Sequence, residues 1–272
     1  MMHVVRKAFL PKALMVGAML TFMVTSCKNG ETEAEPSVPP SETFEMDYES
    51  FPSAEGGRAG REETEIAFGI SAIAVGVWQT LVGLTMTIPV AAFKASVSQD
   101  PVYIEEEGRW HWNFTIGSSN TAIHSCNLYA QVDGQVVNWE MYLTREGDFS
   151  DFLWYTGTSR FDQTSGSWTV YRDPLGNSRA FLEIDWTRDT DAGTGTIRYT
   201  NIDAQDNNNG AYIESGRVES TSEFDTYYEI TGADGATTLI EWHSSTHVGR
   251  LTNAQGATFC WDTNLQDVDC GN

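Results

Sequence analysis

Positive charge is scarce in this 272-residue chain: 16 Lys and Arg stand against 38 Asp and Glu, a formal net charge of −22. Such a surface repels phosphate backbones and anionic lipid headgroups, which excludes a nucleic-acid partner. Catalytic signatures are also missing. There is no G-x-S-x-G turn, no nucleotide-binding glycine loop and no H-E-x-x-H helix. No carboxylate pair singles itself out among 38 acids as a glycosidase would require. No catalytic residue is assigned, no cofactor is implied, and the chain reads as a non-enzyme.

Histidine is sparse, with five in all, and cysteine sparser, with four. Glu241, His243 and His247 would share one face of a strand long enough to carry all three, which is the one metal-like arrangement present. Nothing completes the ligand set, so no metal is assigned. His111, between Trp110 and Trp112, and His124 could join it only through the fold. The acidic turns 189–193 and 203–210 have a calcium-loop composition without the D-x-[DN]-x-[DN]-G spacing. Asp262, Asn264, Asp267 and Asp269 form a further oxygen-rich group, again without the glycine that a ligand turn needs. Hairpin turns account for most of these clusters.

What the chain does have begins at its first residues. Arg6, Lys7 and Lys12 precede an apolar stretch, 13–24, that ends in Thr25, Ser26 and Cys27. The stretch is well short of the roughly 20 residues of a spanning helix, so it reads as a signal. The run Val24-Thr25-Ser26-Cys27 resembles the lipobox of bacterial lipoproteins, with Val24 and Thr25 in place of the usual leucine and small residue. The resemblance implies cleavage after residue 26, a thioether-linked diacylglycerol and an N-acyl chain on Cys27, and lipid anchoring in the cell envelope at the outer membrane, including display at the cell surface. The membrane, through those acyl chains, is then the expected partner. Removal of 1–26, with three basic residues and no acidic one, moves the formal charge to −25. Cys126, Cys260 and Cys270 remain in a compartment that permits disulfides. Cys260 with Cys270 is the expected pair, closing a small loop worth about 3 kcal/mol; Cys126 with Cys260 is the alternative.

Residues 27–65 are rich in Glu, Pro, Ser and Gly and are expected to form an acidic disordered tether, on which Phe44, Tyr48 and Phe51 could dock only locally. Residues 66–93 then contain no charge at all. Gln79, several Thr and Gly residues and Pro89 favour a buried helix over 66–98, continuous or broken near Pro89, rather than a membrane span. Gly69, Gly76 and Gly83 leave one side of it smooth enough for a sheet or another helix to approach.

From residue 99 to 272 the period becomes two. Val137, Trp139, Met141 and Leu143 alternate with polar neighbours, as do Ala180, Leu182, Ile184 and Trp186. Turn signals such as Asp133-Gly134, Asn209-Gly210 and Asp234-Gly235 separate hairpin after hairpin. The expected fold is mainly β with one long apolar helix: a curved or barrel-like antiparallel meander packed around the helix, forming one domain with it. This arrangement is similar in architecture to lipoprotein-carrier and lipoprotein-receptor folds of the LolA/LolB type, which implies a pocket for a lipid or other hydrophobic ligand. The alternative is a surface-displayed adhesion or carbohydrate-binding module built on exposed members of the nine tryptophans.

Overall fold

The period-two alternation becomes a single antiparallel meander in the computed structural model, which describes residues 33–52, 66–118, 121–176, 178–219 and 222–271. Expectations for 1–32, Cys27 among them, and for 53–65 lie outside the described residues. The strands are β1 (Val102–Ile104), β2 (Arg109–Ile116), β3 (His124–Asp133), β4 (Val136–Arg145), β5 (Phe149–Arg160), β6 (Ser165–Arg172) and β7 (Arg179–Asp189). They continue as β8 (Thr194–Asn201), β9 (Tyr212–Arg217), β10 (Thr226–Thr231), β11 (Thr237–Trp242), β12 (Gly249–Thr252), β13 (Thr258–Trp261) and β14 (Asp267–Val268). Each pairs with the next to give one 14-stranded sheet in sequence order. Turns after odd-numbered strands therefore lie along one rim and turns after even-numbered strands along the other. Gly134 and Gly235 take φ of 62° and 81° in two of these turns, the left-handed region that glycine enters without a steric penalty.

The inner face carries the core. Val137, Trp139, Met141 and Leu143 of β4 are all buried, as are Leu182, Ile184 and Trp186 of β7, while Ala180 is half-buried. Large rings are accommodated by glycine on the facing strand. Gly157 pairs with Trp168, Gly166 with Trp186 and Gly249 with Trp261. A Cβ on Gly157 or Gly249 would stand 2.1 or 2.2 Å from the facing indole. These strand glycines thus give up local stability to seat a fully buried tryptophan flat against the backbone.

The sheet is not closed. No pairing joins β1 to β14 among the described residues, so the barrel-like expectation is corrected to an open sheet. The physical reason lies in α1 (Ile66–Ser96), which packs against β2 at one end of the sheet and β12, β13 and β14 at the other. A sheet that touches one helix from both ends must curl around it, and the helix occupies the place where the edges would meet. Both edge strands are short, which limits the unpaired backbone they offer.

The single long apolar helix is also corrected. α1 consists of two arms, Ile66–Thr80 and Thr85–Ser96, inclined at 72°. Pro89 has no N–H for the carbonyl of Thr85 and its ring crowds that carbonyl, while Gly83 sits within the break. The helix ends at Ser96, not at 98. Among the described residues no single helix is long and apolar enough to cross a membrane, although the two arms together meet that test by length and composition. The start of α1 is fixed from far along the chain. The Asp267 carboxylate accepts the Ile66 and Ala67 N–H groups at 3.1 and 3.0 Å, so strand β14 caps the helix. The Cys260–Cys270 disulfide spans this strand.

The tether expectation fails for residues 34–52. This segment is a strap laid across the inner face, within the compact unit Ala34–Asn272. Phe44 is fully buried, stacked on Phe93 at 4.6 Å and packed against Tyr155 and Trp168. Phe51 stacks on Phe68 at 5.5 Å and meets Trp242 edge-on. The strap joins no strand, so its backbone polar groups find partners on core side chains. Trp168 Nε1 donates to the Thr43 carbonyl at 3.0 Å and Tyr199 Oη to the Phe44 carbonyl at 3.0 Å. The Met46 N–H donates to Tyr199 Oη at 2.7 Å, and Tyr228 Oη donates to the Asp47 carbonyl at 2.9 Å. At its outer end Gln163, in the turn after β5, donates to the Ser37 carbonyl.

Candidate functional site

A cleft of about 360 Å³ opens at the bend of α1, on the rim formed by the turns after β6, β8 and β10. Its apolar wall comes from Val77, Trp78 and Val82 of the helix and from Phe181, Leu182 and Ile230 of the sheet. The bend produces the opening: a straight helix would have carried Val82 and Thr85 on past Trp78, whereas the turn swings the second arm away. The volume lies at the lower end of the roughly 300–1,000 Å³ typical of ligand sites. At roughly 30 Å³ per water-sized group it holds about a dozen heavy atoms.

The opposite rim of the cleft is polar, with Asn201, Asp203, Asp206, Asn208 and Arg172. Asp203 is 1% exposed and is held by two arginines: Arg172 pairs with it directly, and Arg179 Nε stands 3.2 Å away. Its other oxygen accepts the Gln205 N–H at 2.9 Å. Burial of a carboxylate in this way requires both cations, since the charge has no water to fall back on. The Arg172 guanidinium also lies 5.3 Å from the centre of the Phe181 ring. One apolar wall facing one polar rim suits an amphiphile. A second groove of about 380 Å³ runs beside the strap, but among the described residues Ile197 is the only large aliphatic residue lining it, against Glu42, Glu45, Asp47, Arg188 and Arg217.

The residues singled out in the sequence are spread over the molecule. Cys260 and Cys270 form the expected disulfide, with Cα atoms 5.2 Å apart. Cys126 is free and buried on the inner face, where desolvation pushes its thiol up to about 12. The Glu241-His243-His247 set is not assembled. β11 stops at Trp242, His247 takes φ of 64° in the following turn, and the Ser245 N–H donates to His243 Nδ1. Among the described residues no group of three His, Cys, Asp or Glu could hold a metal ion. His111 and His124 lie on opposite faces of the sheet. His111 stacks on Tyr129 outside, while His124 is buried inside, where desolvation lowers its pKa.

The acidic turns serve the backbone. Asp189 accepts the N–H groups of Asp191 and Ala192, and Asp262 accepts those of Asn264 and Gln266. Trp110, Trp112, Trp139, Trp154, Trp168, Trp186, Trp242 and Trp261 are all buried. The sequence marked Leu182 as a core position and 203–210 as an acidic turn, but nothing in it joined these residues to Val77, Trp78 and Ile230. The available signal was Trp78, the one tryptophan of the charge-free stretch, followed by a proline that could bend it away from the sheet. No known protein family, curated protein or solved structure matches this chain.

Proposed function

We propose that this chain is an envelope lipoprotein, acylated on Cys27 and held at the outer membrane, whose curved sheet binds a hydrophobic or amphiphilic ligand in the cleft at the bend of α1. The cleft carries the reading: its wall is apolar on both sides, and its polar groups are gathered on one rim. The lipid-anchor part rests on Arg6, Lys7, Lys12, the short apolar stretch and Cys27 in the sequence.

Extraction of the natively purified protein with organic solvent, followed by mass spectrometry, tests the ligand. About one apolar molecule per chain is expected, and I230W, which fills the cleft from the sheet side, is expected to reduce it at least tenfold. A wild-type protein that carries no such molecule, and that takes up none from lipid dispersions, overturns the ligand reading.

A further inference from the structure

One face of the first arm of α1 has no partner among the described residues. Ile66, Ile70, Ile73 and Val77 are 57, 51, 56 and 53% exposed. Steps of four, three and four residues place them in one stripe, because a helix turns once in 3.6 residues. At 1.5 Å per residue the stripe runs about 16 Å. Single exposed aliphatic residues need no explanation. A continuous row of them, on the longest charge-free stretch of a chain with net charge −22, marks a contact surface.

Resting on the reading of Cys27 as the acylated residue, we propose that this stripe lies on the bilayer surface to which the chain is anchored. The first reason is chain length. Pro36 is the first buried residue of the strap and Ser37 is bound to Gln163, so eight residues, 28–35, lie between Cys27 and the seated strap. At about 3.5 Å each they reach at most roughly 28 Å, which holds the domain near the membrane. The second reason is placement. Ser37 is bound to Gln163 in the turn after β5, and Ile66 to Asp267 just past the turn after β13. The strap and the stripe therefore begin at the same rim.

The third reason is charge. An acidic surface is repelled by anionic headgroups, and the stripe is the apolar face that escapes this repulsion. Val77 belongs both to the stripe and to the wall of the cleft, so an apolar ligand could pass from lipid to cleft without crossing water. A second copy of the chain is a poorer occupant. Four half-exposed aliphatic side chains fall well short of the roughly 600 Å² per partner of a stable interface.

The test compares the acylated full chain, reconstituted in vesicles of phosphatidylethanolamine and phosphatidylglycerol, with the mature C27S chain in buffer. Hydroxyl-radical labelling read by mass spectrometry is expected to fall at least threefold at Ile66, Ile70, Ile73 and Val77 on vesicles. Val136 and Leu175, exposed elsewhere, should label equally in both. The acylated I70D/I73D variant, altered only at exposed positions, is expected to regain labelling at Ile66 and Val77 on vesicles. Equal labelling of the stripe in the acylated chain on vesicles and the C27S chain in buffer overturns the proposal. So does protection that grows with protein concentration in buffer together with a doubled mass by light scattering, which would assign the stripe to a second copy. The mass of the Cys27 peptide reads acylation separately: an unmodified Cys27 overturns the lipoprotein reading, whereas a modified Cys27 with an unprotected stripe overturns only this one.

Discussion

Two segments precede the meander, and each does what the other's composition would suggest. Residues 34–52 are rich in Glu, Pro and Ser, yet they run through the interior with Phe44, Met46 and Phe51 buried. The first arm of α1 has no charge at all, yet it leaves Ile66, Ile70, Ile73 and Val77 in the open. Burial here follows the supply of partners rather than mean hydropathy. The strap is buried because indole and phenol groups of β6, β8 and β10 satisfy its backbone at the depth where its aromatic rings pack. The helix satisfies its own backbone, so nothing forces all of its faces inward.

The contrast can be broken most directly at Phe44. Phe44→Ala is expected to destabilise the fold by about 3–5 kcal/mol, read as a lower urea midpoint by tryptophan fluorescence; a loss under about 1 kcal/mol would mean that the strap is only loosely seated. On the helix side, removing the Cys260–Cys270 bridge as C260S/C270S should cost about 3 kcal/mol, because it frees the strand that caps α1. Tyr199→Phe deprives the Phe44 carbonyl and the Met46 N–H of their partner in the interior. The expected loss is about 2 kcal/mol, with faster amide exchange at Met46 than at β8. Asp267→Ala should lower stability by about 1 kcal/mol and raise exchange at Ile66 and Ala67 first. Ile73→Ser, on the open stripe, is expected to shift the midpoint by under about 0.5 kcal/mol; a larger loss would show that this face is covered in the isolated protein.

The sheet was legible because strands announce themselves by alternation. Val137, Trp139, Met141 and Leu143 point inward as their spacing requires, and the spacing of Cys260 and Cys270 suggested their bridge. The strap was not legible, because Phe44, Met46 and Phe51 follow no helical or strand period. Their partners, Trp168, Tyr199 and Tyr228, lie 125 to 181 residues away from the strap residues they bind. The cleft was hidden for a related reason: it joins Trp78 to Phe181 and Ile230 across three separate parts of the chain. Pro89 signalled a break in the helix, but not that the break would open a space instead of ending the element. The sequence leaves open whether the meander curls or closes, because alternation fixes which face is inside and says nothing of whether the last strand returns to the first.

The strap also imposes an order on folding. A chain made from its N-terminus presents residues 34–52 early, but the rings that hold them belong to β6, β8, β10 and β11 and emerge much later. Closing loops of this length is slow. Until β10 is available to supply Tyr228, the segment lacks a partner for the Asp47 carbonyl. The last-made half of the protein is what turns this segment into core.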